Sequence, residues 1–353
     1  MHAGIRTLRS IADLAAAGLL EEAAAPALGA VAERYAVAVT PAIVALIDPG
    51  DADDPIARQF IPDARELEQT SDERADPIGD GVHEKLPGLI HRYPDRVLLK
   101  LTHACPVYCR FCFRREVVGP SGDGMLSGAN LDRAIGYIRD NPAIWEVILT
   151  GGDPLMLSSR RIADVTERLA DIPHVQVLRW HSRVPVVDPE RLTEALADAL
   201  TKAAAAKGKA VYVGVHANHP RELTDAARDA CRRLTRAGVT LVSQTVLLKG
   251  INDDLATLDT LFRAFVRLGI RPYYLHHADF APGTSRFRTS IAEGQALMRQ
   301  LRGRVSGLAL PTYVLDVPGG HGKVPVGPDH ADTAKGEVVD IHGQVHRYPP
   351  EGK

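Results

Sequence analysis

The sequence has neither a long apolar run nor an excess of charge of one sign. No apolar stretch approaches the ~20 residues that a membrane-spanning helix needs. The 42 Lys and Arg residues nearly balance the 44 Asp and Glu residues, so there is no electrostatic case for binding nucleic acid or an anionic membrane. The first residues, MHAGIRTLRSIADLAAAG, lack the charged, apolar and cleavage regions of a signal peptide. We therefore expect a cytoplasmic protein that binds neither nucleic acid nor membrane.

Cysteine is scarce as well, since the chain has four cysteines, and three of them lie within eight residues. A disulfide scaffold would spread its cysteines along a small secreted chain, so this distribution argues against one. Cys105, Cys109 and Cys112 instead follow the spacing Cys-x3-Cys-x2-Cys, and thiolates are soft ligands that suit an iron–sulfur cluster. Zinc usually takes paired CxxC motifs and four ligands, and no second pair exists here. We predict a [4Fe–4S] cluster with one iron left open for a small molecule.

Short apolar runs rich in β-branched residues alternate with helical patterns from residue 96 onward. Such alternation predicts parallel strands joined by helices, that is, βαβ units. The six runs are VLLKLTHA, EVILTGG, VQVLRWHS, AVYVGVHAN, TLVSQTVLL and IRPYYLHHAD, and TYVLDVP could add a strand. Six units are too few for a closed barrel of eight strands, so they predict an open partial barrel or a doubly wound sheet.

The two ends of the chain differ from this α/β region. The first ~47 residues have a helical periodicity, and residues 48–90 are rich in Pro, Asp and Glu. We interpret the second stretch as an irregular arm along the surface, with a disordered linker as the alternative. The chain thus divides into an N-terminal helical region with its arm (1–90), an α/β domain (91–310) and a C-terminal segment (311–353).

Polar residues gather where the predicted strands end. In parallel α/β folds the carboxyl ends of the strands meet at one edge, and sites form there. We therefore expect one shared pocket that contains the following strand-end residues: Cys105, Gly151, Gly152, Asp153, His216, Asn218, Gln244 and Asp279. A tight turn explains the GGDP segment equally well, and a turn cap explains Asp279.

A lysine after a glycine-rich loop is a second chemical signal. Lys323 follows the segment DVPGGHG near the C-terminus. A lysine amine can bind pyridoxal phosphate covalently. A solvated lysine beside a flexible loop has the same spacing, and the spacing alone favours this second interpretation.

The cysteine triad and the lysine loop belong to a series of motifs that runs from about residue 40 to residue 326. The series is HRYPDRVLLKLTHACPVYCRFCFRR, LTGGDPLM, HANHP, SQTVLLKGIND, RPYYLHHAD and YVLDVPGGHGK. In this order the motifs resemble the lysine 2,3-aminomutase family of the radical S-adenosylmethionine superfamily. The resemblance implies a partial (β/α)6 barrel and an isomerase with three cofactors: a [4Fe–4S] cluster, S-adenosylmethionine and pyridoxal 5'-phosphate. In such enzymes a deoxyadenosyl radical removes a hydrogen and pyridoxal phosphate holds the migrating amino group.

The resemblance also implies which residues bind the cofactors. The three cysteines would bind the cluster, and the glycine-rich LTGGDPLM segment would meet the amino group of S-adenosylmethionine. Lys323 would bind pyridoxal phosphate covalently, and Arg92 and Arg96 of HRYPDR would bind its phosphate, which suits the forked guanidinium group. We assign five strand-end residues to cofactor binding with them: Gly151, Gly152, Asp153, His216 and Gln244.

A substrate site follows from the same resemblance. Arg114 would bind the α-carboxylate of an amino acid. Asp279 and Asp316 would bind the distal ammonium of a diamino acid, since a buried cation needs anionic partners. The leading hypothesis is therefore an aminomutase that converts L-lysine to β-lysine.

Departures from the family pattern keep other hypotheses open. Asp254 stands where the clostridial type has a zinc-binding cysteine, and His276, His277 and His321 replace other residues near the predicted site. The enzyme could act on another amino acid, or supply β-lysine for attachment to elongation factor P. A non-catalytic iron–sulfur protein is the alternative from another class, but such a protein would have no use for Lys323. We further expect an electron donor such as flavodoxin or ferredoxin, and a homo-oligomer.

Overall fold

A computed structural model describes residues 6–350 of the chain, apart from 22, 24 and 120–123. Within these residues the main feature is a ten-stranded sheet whose strands follow one another in chain order. The strands are β1 (Glu84–Leu86), β2 (Leu89–Tyr93), β3 (Arg96–Thr102), β4 (Glu146–Gly151), β5 (Val177–Ser182), β6 (Ala210–His216), β7 (Thr240–Leu247), β8 (Ile270–His277), β9 (Thr312–Val317) and β10 (Gly322–Pro325). Neighbouring strands from β3 to β9 are parallel, whereas β1, β2 and β10 pair antiparallel at the two edges.

Helices connect the parallel strands. The α-helices of the described residues are α1 (Ile11–Ala16), α2 (Ala25–Arg34), α3 (Pro41–Val44), α4 (Ala57–Phe60), α5 (Gly128–Asp140), α6 (Ser159–Ala170), α7 (Val184–Val187), α8 (Glu194–Ala206), α9 (Asp225–Arg236), α10 (Leu255–Arg267) and α11 (Ile291–Arg302). The connections from β3 through to β9 contain α5, α6, α7 with α8, α9, α10 and α11 in turn. Because each parallel step needs such a crossover, the predicted partial (β/α)6 barrel is confirmed. None of the described helices is long and apolar enough to cross a membrane.

Helix α6 shows why these segments fold as they do. The side chain of Ser158 accepts the main-chain N–H of Arg161, which satisfies one free donor of the first turn. Ile162, Val165 and Leu169 recur at helical spacing and are fully buried in the core. Full burial of each such side chain contributes about 2 kcal/mol. The polar side of the helix remains available to water, so the helix can cover the sheet from outside.

The N-terminal arm is irregular, as predicted, but it is more deeply packed than a surface-hugging segment. Asp54, Gln59 and Glu66 are fully buried, and each has polar partners from the barrel. The arm's last part forms β1 and β2 and so joins the main sheet. The two acids are buried at low cost because Arg221 and Arg110 compensate for their loss of water, and the neutral amide of Gln59 is paired by a hydrogen bond to Glu222.

The C-terminal part adds β9 and β10 to the main sheet, and the predicted strand in TYVLDVP is thereby confirmed as β9. A separate small sheet follows, with strands β11 (Ala331–Asp332), β12 (Glu337–Val339) and β13 (Val345–Arg347). The division of the chain at residues 90 and 310 stays a prediction, and the main sheet continues across both positions.

Candidate functional site

A cavity of about 600 Å³ lies inside the partial barrel. The inward-facing residues of the parallel strands form its wall, together with the loop that carries the three cysteines. Asn218, which the sequence also placed in the pocket, does not line this cavity, because its buried side chain pairs with Gln59 and with the main chain of Val246. The other residues that the sequence predicted for the site do line it: Arg92, Arg96, Cys105, Cys109, Cys112, Arg114, Gly151, Gly152, Asp153, His216, Gln244, Asp279, Asp316 and Lys323. The fold thus brings together groups that are up to 231 positions apart in the chain, counted from Arg92 to Lys323.

The cysteine loop begins directly after β3. Burial raises the pKa of the Cys105 thiol well above its usual value and that of Cys112 to about 11. Thiols in such a place ionise when a metal binds, because the cation compensates for the thiolate charge. Within the described residues, no three ligand side chains converge on a single metal ion. In a cluster each thiolate binds a different iron, and the three cysteines of this loop can supply three such ligands.

Glu66 of the arm holds the cysteine loop in place. Its fully buried carboxylate accepts N–H groups from Arg110, at 3.0 Å for Nε to Oε1, and from Arg115. Arg110 lies between the second and third cysteines, and the guanidinium group of Arg115 also stacks on the ring of Tyr35 at 3.5 Å. Burial alone raises the pKa of Glu66, but the neighbouring guanidinium groups outweigh it and hold the pKa below its usual value. A buried ion pair between arm and loop therefore fixes the loop.

The GGDP turn at the end of β4 packs against the chain just before the first cysteine. Gly151 has a φ of +124°, and a Cβ atom there would lie 2.2 Å from the carbonyl oxygen of Thr102. A Cβ atom on Gly152 would clash with the same segment at 2.3 Å. The buried carboxylate of Asp153 accepts a main-chain N–H from the loop after β5 at 2.7 Å. Both glycines are thus required for a close main-chain approach at the cavity wall.

Lys323 lies on β10, directly opposite Asp316 on β9. Its Nζ donates to the Asp316 carboxylate and lies 3.3 Å from Nδ1 of His276. Its main-chain N–H donates to the hydroxyl of Tyr93 at 2.7 Å. Asp279 lines the same cavity, and burial, reinforced by the charge of Asp316, raises its pKa to about 7. Two carboxylates therefore share one region of the cavity with one ammonium group.

Asp80 of the arm holds two of the predicted arginines. It accepts from Nη2 of Arg92 at 3.3 Å, and from Nε and Nη2 of Arg114 at 3.1 and 2.8 Å. The Nη1 group of Arg114 lies 3.3 Å from the hydroxyl of Thr150. The forked contact fixes the guanidinium plane of Arg114 at the cavity wall, where it can bind a carboxylate.

Arg96 has a different environment from Arg92. Its guanidinium group stacks on the ring of Tyr93 at 3.8 Å and forms an ion pair with Asp95 at 2.7 Å. The side chain of Arg96 is 31% exposed, compared with 9% for Arg92. Arg96 is therefore the more accessible of the two cations that line this part of the cavity.

Comparison with known proteins adds independent information. Residues 99–261 match the radical SAM superfamily, and residues 298–340 match lysine-2,3-aminomutase. The L-lysine 2,3-aminomutase of Clostridium subterminale is 42% identical over 303 residues, which are 86% of this chain and 71% of that protein. The L-lysine 2,3-aminomutase of Fusobacterium nucleatum is 40% identical over 323 residues, 92% of this chain and 75% of the relative. The glutamate 2,3-aminomutase of Clostridioides difficile is 37% identical over 300 residues, which are 85% of this chain and 69% of that protein.

The chain belongs to the lysine 2,3-aminomutase family. It is therefore an isomerase of the radical SAM type, and a [4Fe–4S] cluster and S-adenosylmethionine are its cofactors. The predicted family, enzyme class and these two cofactors are confirmed. The three thiols on one cavity-lining loop fit the cluster, because they supply three soft ligands and leave the fourth iron for another molecule.

Three histidines that burial keeps uncharged line the cavity, and two of them have a ring nitrogen that a ligand could pair with. His181, His216 and His276 lie on β5, β6 and β8 and line the cavity. Burial lowers their pKa values, to about 3 for His216 and well below the usual value for the other two. The Nε2 atoms of His181 and His216 are buried without a hydrogen-bond partner among the described residues. Since such atoms are costly to leave unpaired, we expect a bound cofactor or substrate to pair with them.

Four residues of this aminomutase site are not part of the sequence prediction. Asp80 and Glu66 lie in the acidic arm, where nothing in the sequence separates them from solvated acids. His181 lies in the strand run VQVLRWHS, two residues after Arg179. Alternate side chains of a strand point to the same face, so this spacing would have marked His181 as facing the cavity together with Arg179. Arg183 follows a strand end, so the rule that sites gather at strand ends would have found it.

Proposed function

We propose that this enzyme is a lysine 2,3-aminomutase that converts L-lysine to β-lysine with pyridoxal phosphate bound at Lys323. The observation that carries the proposal is the shared cavity, which presents two carboxylates, Asp279 and Asp316, together with the guanidinium group of Arg114. A substrate with a carboxylate at one end and an ammonium at the other matches these charges. The side-chain carboxylate of glutamate would instead meet two carboxylates, which disfavours glutamate as the substrate.

The residues around Lys323 support the pyridoxal phosphate site. The amine of Lys323 lines the cavity, and Arg92 and Arg96 line it as well, so a covalent anchor and two phosphate-binding cations are available. The neutral imidazole of His276 beside Nζ adds no positive charge that would repel an incoming cation. When bound, the cluster with S-adenosylmethionine supplies a hydrogen-abstracting carbon radical, and pyridoxal phosphate supplies the carbonyl that holds the migrating amino group.

The protein's own part in the reaction is to orient the substrate and exclude water. Asp80 and Thr150 fix the guanidinium group of Arg114, which binds the α-carboxylate. Asp279 and Asp316 bind the distal ammonium, and this fixes the substrate along its length. His181 remains uncharged because of its burial and can donate or accept one hydrogen bond without changing the charge of the cavity.

The assignments of Gly151, Gly152, Asp153, His216 and Gln244 to S-adenosylmethionine and pyridoxal phosphate belong to the same proposal. Their support is that they surround one cavity with the cysteine loop. Reduced flavodoxin or ferredoxin would supply the electron for the cluster, and the chain would act as a homo-oligomer.

The test is product analysis with anaerobically reconstituted enzyme. L-lysine, L-glutamate and L-norleucine, an uncharged analogue of lysine, are each incubated with the enzyme, and the α- and β-isomers are separated. We expect β-lysine as the main product. The substitution Asp316→Asn should lower kcat/KM for lysine by on the order of a hundredfold or more, because a buried charge loses its partner at a cost of roughly 3–5 kcal/mol.

Arg114→Ala is the matched comparison, since it should reduce turnover of lysine and norleucine alike. A wild-type preference for norleucine or glutamate would refute the lysine assignment and leave the family assignment intact. Unchanged lysine turnover in Asp316→Asn would refute the role of the acid pair.

A further inference from the structure

One buried cation touches the cysteine loop directly. Arg183 follows β5 and precedes α7, and it is 5% exposed. Its Nη1 group lies 2.8 Å from Sγ of Cys109 and donates to it. Within the described residues, Cys109 is the cysteine of the triad that receives a side-chain N–H donor.

The guanidinium group of Arg183 is fixed on several sides. Nη2 donates to the buried carboxylate of Glu222 at 2.7 Å and also to Gln59. The rings of Phe60 and Phe111 lie 4.5 and 5.4 Å from the guanidinium carbon. A side chain held by an ion pair and two aromatic rings has little freedom to leave the sulfur.

Three protein segments thus meet at the guanidinium group that donates to Cys109. Glu222 follows β6, Gln59 belongs to α4 of the arm, and Arg183 follows β5. Glu222 balances the charge of Arg183, and its own pKa, which burial raises, is held below the usual value by Arg183. Neutralising the pair in this way allows a guanidinium group to remain buried beside the cysteine.

We propose that Arg183 raises the reduction potential of the [4Fe–4S] cluster through its N–H···S hydrogen bond to Cys109. The proposal rests on the assignment of Cys109 as a cluster ligand. Hydrogen bonds to the sulfur atoms are among the factors that set the potential of such clusters. Arg183 is a positioning and tuning residue, since it acts on the cluster through its contact with Cys109.

The redox step concerned is the transfer of one electron. An external low-potential reductant gives the electron, the cluster passes from [4Fe–4S]2+ to [4Fe–4S]+, and Arg183 neither gains nor loses a proton. Reduction adds one negative charge, part of which falls on the cysteine sulfurs. A cationic donor at 2.8 Å in a water-excluded site stabilises the reduced state more than the oxidised state.

The experiment is a potentiometric titration of the anaerobic enzyme with dithionite, followed by electron paramagnetic resonance of the reduced cluster. We expect the ratio of reduced to oxidised cluster at a fixed potential to fall about tenfold in Arg183→Gln, which corresponds to about 59 mV for one electron. Iron content is measured in parallel. A wild-type protein without a cluster would refute the cluster assignment itself, whereas an intact cluster with an unchanged potential in Arg183→Gln would refute only the role of Arg183.

Two variants separate the hydrogen bond from net charge. The double variant Arg183→Gln with Glu222→Gln removes both charges and so keeps the local net charge. Its cluster should still have a lower reduction potential than the wild type, by most of the decrease expected for Arg183→Gln alone. A return of its potential to the wild-type value would show that charge alone acts, and would overturn the proposal. Arg233→Gln is the control. Arg233 lies on α9 and donates to the main-chain carbonyl oxygens of Leu192 and Pro189, so its replacement should leave the reduction potential of the cluster unchanged.

A measurement on the wild-type enzyme covers the case in which Arg183→Gln loses its cluster. Protein grown with arginine labelled with nitrogen-15 in the guanidinium group alone should show a weak nitrogen coupling to the reduced cluster in pulsed resonance spectra, because this label leaves out the main-chain nitrogen of Arg114 beside Cys112. S-adenosylmethionine is omitted, so that its own amino group does not contribute. The coupling should disappear in Arg183→Lys, which keeps the positive charge. Absence of the coupling in the wild type would overturn the proposal.

Discussion

Asp279→Asn should make the enzyme more stable at alkaline pH and less able to use lysine. Burial raises the pKa of Asp279 from 3.8 to about 7, and the negative charge of Asp316 adds to this rise. Asp279 is therefore about half ionised near neutral pH. An ionised carboxylate in this place is costly for the folded protein until a cation binds. Asparagine has the same shape and no charge, so the substitution removes this cost without a large change in packing.

The pKa shift gives the magnitude and the sign. A rise from 3.8 to about 7 is about three units, and at about 1.4 kcal/mol per unit it corresponds to about 4 kcal/mol. The folded state holds the proton more tightly than the unfolded chain. The wild type therefore loses stability as the pH rises from about 4 to about 7, and loses no more above it. Asp279→Asn should have a free energy of unfolding up to about 4 kcal/mol higher than the wild type at pH 8, and an equal one near pH 4.

Catalysis should respond in the opposite direction. The ionised form of Asp279 attracts the distal ammonium of lysine, so kcat/KM for lysine in the wild type should rise as the pH passes through about 7. In Asp279→Asn this rise should be absent, and at pH 8 the value should be lower by on the order of a hundredfold.

The assay combines urea unfolding of the cofactor-free protein between pH 4 and pH 8 with steady-state kinetics of the anaerobic, cofactor-loaded enzyme around pH 7. Asp229→Asn is the control, because Asp229 is 59% exposed and forms a surface ion pair with its helix neighbour Arg232. The control should unfold like the wild type at every pH. Parallel stability curves for Asp279→Asn and the wild type between pH 4 and pH 8 would show that Asp279 is ionised at no special cost, and would refute the reasoning.

Three further substitutions test separate parts of the site. Cys109→Ala should lose the cubane cluster, which contains about four irons per chain, together with all turnover; retained activity would contradict the radical mechanism. Borohydride should attach pyridoxal phosphate to Lys323 in the wild type and not in Lys323→Ala; a label on another lysine in peptide maps would contradict the assignment. Glu66→Gln should lower the free energy of unfolding by roughly 3–5 kcal/mol, because two buried arginines lose their counter-charge, and an unchanged urea midpoint would contradict this.

The sequence predicted the parallel part of the fold because two signals there are local. Each strand from β3 to β8 is a short run of β-branched residues, and each is followed by a segment with helical periodicity. Such patterns depend on neighbours along the chain, so they can be recognised without tertiary structure. The strands β1, β10 and those of the small C-terminal sheet have four residues or fewer, which is too short for a recognisable period.

The candidate site was predictable where motifs carry the chemistry. The cysteine spacing identifies its three residues directly, whereas Lys323 was singled out by the resemblance of its loop to the family motif, and all four residues line the cavity. Asp80 was not predictable, because its role depends on Arg92 and Arg114 lying beside it in space, 12 and 34 positions away in sequence. A single sequence contains no signal for such a long-range pairing, and an acidic residue in a polar stretch is most often solvated.

The buried acids of the arm explain why so many cations can surround the cysteine loop. The loop and the barrel place Arg110, Arg114, Arg115 and Arg183 near one another around the cysteines, and their repulsion would oppose folding if they were unpaired. Glu66 pairs with Arg110 and Arg115, whereas Asp80 pairs with Arg114. These contacts leave the catalytic groups oriented before any ligand binds, which lowers the cost of assembling the reacting geometry. The polar arm is therefore a part of the catalytic unit, although its composition alone resembles that of a linker.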